Sequence, residues 1–316
     1  MGSDVHISQR GGASEAPSVD VLMLAYNVAP FITEAVEGVL AQRTDFTVRL
    51  VIAEDSSTDA TPAICERLAQ EHQSRILYVP GERNIGIAAR TVEGLRHCSA
   101  RYVAVCDSDD VWTDPGKLAR QVAFLEAHPD HGFSYTDVNI IDRQGAQVLE
   151  DGYDGIRADY ANGHIFARLL RGNFVNNSTA VVRRDLLFAL RPNACRDELI
   201  GDYVRWLQLS AQARTHFDPE RTTAYRRGGV TGSTDLHARN RAKMLALLPG
   251  LLLEHAAART PVTRADKAVL LRKTAGALVR SGTGLRMKAS MLLLLLRYLP
   301  ALAGSVPAVQ GTGGEN

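Results

Sequence analysis

Several features that define particular protein classes are missing from this sequence. Its four cysteines are scattered, and no two have C-x-x-C spacing, so neither a zinc site nor a disulfide framework is indicated. No run of about 18 apolar residues occurs, which argues against a membrane-spanning helix. Residues 1–17 have no apolar core and are interpreted as a flexible tail, not a signal peptide. We therefore expect a reducing, cytoplasmic environment.

An excess of charge of one sign is also missing. The 36 basic and 35 acidic residues give a formal net charge of +1, so no overall field attracts nucleic acid. Apolar residues make up 45% and charged residues 22% of the 316 residues, which is ordinary for a globular protein of one or two domains. We expect no nucleic-acid partner.

One apolar segment stops abruptly at a group of carboxylates. Residues 102–106 are apolar and are followed by Asp107, Ser108, Asp109 and Asp110. Such a segment is typical of a buried parallel strand, and ligands bind outside the carboxyl ends of these strands. Clustered carboxylates repel one another unless a cation joins them, and Mg²⁺ or Mn²⁺ bridging to phosphate fits this chemistry. The alternative is an acidic surface turn that caps the next helix.

Strand and helix patterns alternate four times in the first half of the chain. This alternation predicts a parallel sheet with right-handed crossovers. Three of the strands run into Asn27, Asp55 and Asp107, and parallel strands bring such ends to one edge. The predicted strands are 19–24, 48–53, 76–79 and 102–106.

The pattern changes from Phe133 onward. Strands are predicted at 133–135, 138–141, 179–182 and 222–226, and helices at 164–170, from Asp185, and at 201–211. Beyond Leu236 the pattern is helical, and residues 291–296 are strongly apolar with basic neighbours. We interpret that segment as packing against the chain or a second subunit, with a membrane-surface helix as the alternative.

Four segments at strand ends, in this order, resemble the family 2 glycosyltransferases of the GT-A fold. The resemblance covers about residues 19–233. It implies an α/β fold with a Rossmann-like, mostly parallel sheet flanked by helices, to which the pattern beyond Leu236 adds a helical C-terminal extension. The four segments are Leu24-Ala25-Tyr26-Asn27, residues 53–61 (AEDSSTDAT), Asn84-Ile85-Gly86 with Arg90, and Asp107-Ser108-Asp109-Asp110.

The resemblance and the residue pattern together divide the chain. Its parts would be a flexible tail (1–17), a nucleotide-sugar-binding half (18–140), an acceptor-binding half (141–235) and a helical extension (236–316). The extension would mediate a homodimer or a peripheral contact with the inner face of the membrane.

The implied donor is a nucleoside-diphosphate sugar, with a UDP-sugar favoured. Asp55 would accept the N3–H of uracil or thymine, and Arg83 or Arg90 would approach the phosphates. Asp109 would be the main ligand of Mn²⁺ or Mg²⁺, and Asp107 would touch the ribose or a metal-bound water. The metal would stabilise the departing diphosphate as a Lewis acid. The implied donor-binding residues are Ala25, Tyr26, Asn27, Asp55, Arg83, Asn84, Arg90, Asp107, Ser108 and Asp109.

The resemblance also places a general base at a helix start in the second half of the chain. An inverting transfer needs one such base on the acceptor hydroxyl. Asp202, four residues before Trp206, is the candidate, and Glu198 is the fallback. The alternative is that Asp202 only caps its helix. For a glycan or lipid-linked acceptor, the implied contacts are Asn176, Asn177, Trp206 and Asp110.

The sequence departs from the family in one segment. The family often has Y-R-x-H after its last strand, whereas Tyr225-Arg226-Arg227-Gly228 has no histidine. Arg227 or His237 are the candidates to take its place.

Two other functions stay open as alternatives. A sugar nucleotidyltransferase would need a glycine-rich phosphate loop after the first strand, and residues 25–30 contain no glycine. A non-catalytic nucleotide-sugar-binding protein would have no reason to keep Asp109 and Asp202 together.

Overall fold

The computed structural model describes residues 18–148, 154–190 and 201–228. Within these ranges, eight strands form one sheet in the order β3-β2-β1-β4-β7-β6-β8-β5. The strands are β1 (Ser18–Ala25), β2 (Thr47–Glu54), β3 (Ile76–Val79), β4 (Tyr102–Val105), β5 (Val111–Trp112), β6 (His131–Ile141), β7 (Val181–Arg183) and β8 (Arg214–Arg226). The helices are α1 (Ile32–Leu40), α2 (Thr61–Glu71), α3 (Ile87–Arg96), α4 (Lys117–Ala127), α5 (Asp154–Arg157), α6 (Phe166–Leu169), α7 (Arg184–Phe188) and α8 (Gly201–Gln212).

The first four long strands form the parallel half of the sheet. β1 pairs in parallel with β2 and β4, and β2 pairs in parallel with β3. Alternate residues of β1 enter opposite cores: Val21 and Met23 pack on the side of α1, and Leu22 on the side of Trp206 in α8. The sheet therefore has a hydrophobic core on each face, which is why its strands read as continuous apolar runs.

Helix α3 packs very closely on this parallel half. A Cβ atom at Gly94 would lie 2.6 Å from the Leu22 side chain and 3.0 Å from the Ala53 side chain. A glycine at this position allows α3 to approach β1 and β2, so the turn that precedes α3 reaches the end of β2.

The second half of the sheet mixes strand directions. β7 is antiparallel to β4 and β6, whereas β8 is parallel to β6 and antiparallel to β5. The two strands predicted at 133–135 and 138–141 are one strand, β6, with shifts of register around Asp137. A buried polar residue at that bulge interrupts the apolar pattern, and this explains the predicted break.

Two other predictions in this half need smaller corrections. The strand predicted at 222–226 is the end of a longer strand, β8, and the strand predicted at 179–182 begins instead with a 3₁₀ turn, Asn177–Thr179. The predicted helix at 201–211 is confirmed as α8.

Strand β5 follows β4 after only five residues, 106–110, yet it lies at the far edge of the sheet next to β8. The connecting loop, which we call the acid loop, therefore reaches across the ends of β7, β6 and β8.

Some predictions fall outside the described residues. These concern the tail 1–17, Glu198, His237 and the extension 236–316 with its apolar segment 291–296. Among the residues that the structure does describe, no helix has the length and apolarity needed to cross a bilayer.

Candidate active site

The ends of β1 and β2 are tied together by Asn27. Its backbone adopts the left-handed conformation (φ 52°), which asparagine tolerates better than most residues. Its N–H donates to Ser57 Oγ (3.0 Å), and its Oδ1 accepts from the backbone N–H of Thr58 (2.9 Å). The neighbouring Tyr26 is 41% exposed. The edge thus presents an aromatic ring beside a rigid pair of strand ends.

Asp55 is surrounded by donors. Its carboxylate accepts hydrogen bonds from the backbone N–H groups of Ile85 (3.0 Å) and Gly86 (2.9 Å) and from Nε of Arg90 (3.0 Å). Arg90 is 2% exposed and also contacts Oε2 of Glu93 (3.2 Å), so its guanidinium is taken up by protein groups, whereas Arg83 is exposed. Since a carboxylate has about four acceptor positions, Oδ2 of Asp55 retains capacity for one more donor.

The acid loop is held from below by Ser178. Its hydroxyl accepts from the backbone N–H of Asp107 (2.9 Å) and donates to Oδ2 of Asp110 (2.6 Å). Asp110 is 1% exposed, and its other oxygen accepts from the backbone N–H of Arg226 (2.9 Å). Burial, together with the charges of Asp107 and Asp109, holds the pKa of Asp110 well above its usual range. Asp110 therefore fixes the shape of the loop.

Asp107 and Asp109 form the electrostatically strained part of the loop. Burial and the charge of Asp109 raise the pKa of Asp107 to about 7, against a hydrogen bond from Nδ2 of Asn177 (2.7 Å). A cation would relieve this repulsion, and carboxylate oxygens are the donors that Mg²⁺ and Mn²⁺ prefer. The described residues gather no group of three metal-ligating side chains, so such an ion would need further ligands from phosphate or water.

Asp202 lies in the first turn of α8, as predicted. Its Oδ2 accepts from Nδ2 of Asn173 (3.2 Å). Burial raises the pKa of Asp202, against the backbone N–H of Tyr203 and the charge of Arg205. The charge of Asp202 also contributes to the raised pKa of Asp107, so these two carboxylates share one electrostatic environment. A carboxyl with a raised pKa is a better proton acceptor than an ordinary aspartate.

Arg226, at the end of β8, clamps the acid loop to its surroundings. Its Nε donates to the backbone carbonyl of Asp109 (2.9 Å), and its Nη1 reaches the carbonyls of Asp142 (3.3 Å) and Arg143 (3.2 Å). Its Nη2 lies 2.8 Å from Oε2 of Glu34 in α1. These contacts join both halves of the sheet around the loop.

The family model described as "Glycosyl transferase family 2" matches residues 20–187. The chain belongs to glycosyl transferase family 2. This match covers the donor-side strand ends, the acid loop and the 3₁₀ turn, and it stops before α8 and Asp202. The predicted resemblance is confirmed.

The curated relatives of this family 2 chain match over part of its length. The uncharacterized protein Rv1520 of Mycobacterium tuberculosis is 35% identical over 166 residues, which are 52% of this chain and 47% of that protein. The putative glycosyltransferase EpsE of Bacillus subtilis is 30% identical over 162 residues, 49% of this chain and 58% of EpsE. The chain spans about half the length of these relatives.

Solved structures agree with the fold of this family 2 chain. TarS of S. aureus, solved with UDP-GlcNAc, has a TM-score of 0.62 at 16% identity over 90% of this chain and 81% of that one. The mannosyltransferase PcManGT of Pyrobaculum calidifontis, solved with GDP-Man and Mn²⁺, has a TM-score of 0.56 at 20% identity over 93% and 78%. The predicted GT-A fold is confirmed.

Three residues predicted to contact the acceptor have side chains that contact other parts of the protein. Trp206 is 0% exposed and stacks on Phe133, with 5.6 Å between the ring centroids. Asn176 caps the 3₁₀ turn by accepting from the backbone N–H of Ser178 (2.9 Å). Asp110 is buried in the loop, as described above. These contacts favour a structural role for each of the three residues over direct contact with an acceptor.

Sequence reasoning missed the roles of Ser178 and Arg226. Nothing in the sequence reveals that Ser178 meets Asp107 and Asp110. Arg226 left a usable signal: it occupies an inward position of β8, two residues after the buried Ala224, and an inward arginine in a strand needs several acceptors. Arg227, considered as the replacement for the missing histidine, is exposed.

Proposed function

We propose that the chain is an inverting glycosyltransferase that transfers a sugar from a nucleoside-diphosphate sugar to an acceptor hydroxyl. The observation that carries this proposal is the arrangement of two carboxylates. Asp107, at the end of β4, and Asp202, at the start of α8, are held by asparagines of one short segment, Asn177 (2.7 Å) and Asn173 (3.2 Å). Asp107 lies within residues 20–187, which the family model matches, and Asp202 lies on the separate helix α8. A direct displacement needs a leaving-group site and a base on opposite sides of the sugar, and this pair supplies candidates for both.

The donor would bind along the strand ends. The exposed ring of Tyr26 can stack on a base, and Asn27 borders it. The remaining acceptor capacity of Asp55 suits the N3–H of uracil, so a UDP-sugar is favoured. The complex of TarS with UDP-GlcNAc supports this choice, whereas the complex of PcManGT with GDP-Man keeps GDP-sugars as the alternative. Arg83 and Asn84, both exposed, would face the phosphates.

Asp109 and Asp107 would hold Mn²⁺ or Mg²⁺ together with the diphosphate, as the chemistry of their oxygen donors suggests. When bound, the ion would supply Lewis-acid stabilisation of the departing diphosphate. PcManGT was solved with Mn²⁺, which supports a divalent ion in this chain.

Asp202 would act as the general base. It would take the proton of the acceptor hydroxyl while that oxygen forms a bond to the anomeric carbon of the sugar. The bond from this carbon to the diphosphate breaks in the same step, and the nucleoside diphosphate leaves with the electron pair. Burial favours Asp202 for this role by raising its pKa. Glu198 stays the fallback.

The acceptor would be a glycan or a lipid-linked sugar. The curated relatives include ExoO of Rhizobium meliloti, a succinoglycan biosynthesis protein, and this supports polysaccharide synthesis as the context. Cytoplasmic location, and a homodimer or peripheral membrane contact through 236–316, stay predictions.

One experiment separates this function from its alternatives. The full chain is incubated with a panel of UDP-, dTDP- and GDP-sugars, with and without Mn²⁺, and binding is followed by thermal shift. Products are then identified: free nucleoside diphosphate indicates transfer, and nucleoside triphosphate formed with added pyrophosphate indicates a nucleotidyltransferase. A donor that raises the melting temperature but never releases nucleotide with any glycan acceptor would favour a non-catalytic binding protein.

A further inference from the structure

The segment 173–178 holds both carboxylates of the proposed site. Asn173 donates from Nδ2 to Oδ2 of Asp202 (3.2 Å), and Asn177 donates from Nδ2 to Oδ1 of Asp107 (2.7 Å). The two asparagines are four residues apart, at the two ends of an irregular stretch that leads into the 3₁₀ turn Asn177–Thr179. A single short piece of chain thus spans from the donor side to the helix of the proposed base.

Arg205 fixes which end of the Asn177 amide faces Asp107. Nη1 of Arg205 donates to Oδ1 of Asn177 (3.3 Å). An amide has one accepting and one donating end, so a guanidinium on the oxygen side directs the NH₂ group toward the carboxylate. With the amide reversed, its oxygen would face a carboxylate and its NH₂ group a guanidinium, and both contacts would be repulsive.

The same arginine belongs to the helix of the proposed base. Arg205 lies three residues after Asp202, on the same face of α8. Its guanidinium lies 5.7 Å from the centroid of the Trp206 ring, which is itself buried in the core. The position of Arg205 is therefore set by α8.

We propose that Arg205 and Asn177 are a positioning pair that orients Asp107 for donor binding and links this orientation to the placement of α8. This inference rests on the proposed function. Arg205 acts on Asp107 through the Asn177 amide, and its positive charge also favours the ionised form of that carboxylate. A shift of α8 on the acceptor side would then change the affinity for the donor, and donor binding would change the placement of α8 by the same free energy.

The test is a double-mutant cycle on binding, which needs no knowledge of the sugar or the acceptor. Arg205→Met keeps the apolar part of the side chain over Trp206 and removes the guanidinium that donates to Asn177. Asn177→Ala removes the amide. The electron paramagnetic resonance signal of free Mn²⁺ gives the dissociation constant of Mn²⁺ in the presence of UDP, and a parallel series uses GDP. The proteins compared are wild type, both single variants and the double variant.

The proposal predicts a specific non-additivity. Each single variant should bind Mn²⁺ about 10-fold more weakly, as expected for the loss of a hydrogen bond to a charged group. The loss of affinity in the double variant should be clearly smaller than the product of the two single losses, because the part of the Arg205 effect that passes through the Asn177 amide is already gone. Arg205→Lys, which keeps the charge and a donor, should recover most of the affinity.

Additive effects would overturn the proposal, because they would mean that Arg205 acts independently of the Asn177 amide. Wild-type affinity in Arg205→Met would overturn it as well. Melting temperatures without ligand check the folds, and if Arg205→Met or the double variant is unfolded, Arg205→Leu, alone and combined with Asn177→Ala, takes its place in the cycle.

Arg184→Met is the matched control. Arg184 is also partly exposed but binds the carbonyl of Cys98 (3.1 Å) on the far side of β4, so its replacement should leave Mn²⁺ affinity unchanged. If the wild-type chain does not bind Mn²⁺ in the presence of either UDP or GDP, the proposed metal-dependent function itself is wrong. If it binds Mn²⁺ but the cycle is additive, only this inference is wrong.

Discussion

The Nε atom of Arg226 donates a hydrogen bond of 2.9 Å to the backbone carbonyl of Asp109. Arg226 is 4% exposed, and its backbone N–H also holds the carboxylate of Asp110 (2.9 Å). The last residue of β8 therefore fixes two consecutive residues of the acid loop. The family often has a histidine two residues after this arginine; in this chain, which has Gly228 there, the arginine itself organises the loop.

Replacement of Arg226 by Met should destabilise the protein. It would leave the carbonyls of Asp109, Asp142 and Arg143 without this donor, and we expect the free energy of unfolding in urea to fall by about 2–4 kcal/mol. The ion pair with Glu34, whose side chain is 58% exposed, adds little to this figure. Arg227→Met, at the exposed neighbour, is the control and should keep wild-type stability. Equal losses in both variants would contradict the clamp.

Asp109→Asn should uncouple nucleotide binding from the metal. The variant removes one charge from a repelling cluster, so the melting temperature should stay level or rise, while the affinity for Mn²⁺ falls and UDP binding loses its response to Mn²⁺. Calorimetric titration of UDP with and without Mn²⁺ measures this. Asp114→Asn changes the same charge outside the acid loop and serves as the control. An unchanged Mn²⁺ response in Asp109→Asn would refute its assignment as the main ligand.

Asp202→Asn should stop turnover while donor binding persists. Loss of a general base costs about 10²- to 10⁴-fold in rate, and the amide can still pair with Asn173. The measurements are turnover with the donor found in the panel, its dissociation constant, and the anomeric configuration of the product by NMR. Asp185→Asn, in the first turn of α7 and 99% exposed, is the control. Near-normal turnover would shift the role to Glu198, and a retained configuration would overturn direct displacement.

Lys117 should give the stability of the protein an unusual pH dependence. Its Nζ is buried, donates to Gln121 Oε1 (2.7 Å) and lies 4.4 Å from the Trp112 ring centroid; burial lowers its pKa to about 7. The unfolded chain, with a lysine pKa of about 10.4, then binds more protons between pH 7 and 10. The contribution of Lys117 to stability therefore rises with pH across this window.

Lys117→Met tests this dependence. The difference in free energy of unfolding between wild type and Lys117→Met should move in favour of wild type from pH 7 to pH 9.5, by up to about 1.4 kcal/mol per pH unit. A constant difference over this range would show that Lys117 titrates like an exposed lysine.

The strand ends of the donor side could be predicted because they depend on local pattern. An apolar run that stops at Asn27, Asp55 or Asp107 identifies a strand and its exit, and parallel pairing then dictates that the three ends share an edge. The helix start at Asp202 was predictable for the same reason. The α/β fold follows from such signals, since each concerns residues that are neighbours in the chain.

The partners of these residues could not be predicted, because they come from distant segments. Asp55 meets Arg90 35 positions away, and Asp110 meets Ser178 68 positions away; no periodicity encodes such pairs. Trp206 illustrates a different difficulty. It follows Asp202 by four residues in the same helix and was predicted to contact the acceptor. Its side chain lies instead in the core, where it packs on Phe133.

The acid loop also limits how the whole sheet can bend. Four strand spacings separate β4 from β5, an arc of about 19 Å at roughly 4.8 Å each, and the six Cα steps that join them reach about 20 Å only when fully extended. The loop is not extended, because the N–H of Asp110 turns back to the carbonyl of Asp107 (3.0 Å). The loop therefore joins β4 and β5 by a path shorter than the arc of the sheet, which requires the sheet between them to curl. An exchange such as Asp109→Asn keeps the length of this connection, whereas an inserted residue would lengthen it and so allow the sheet between β4 and β5 to open.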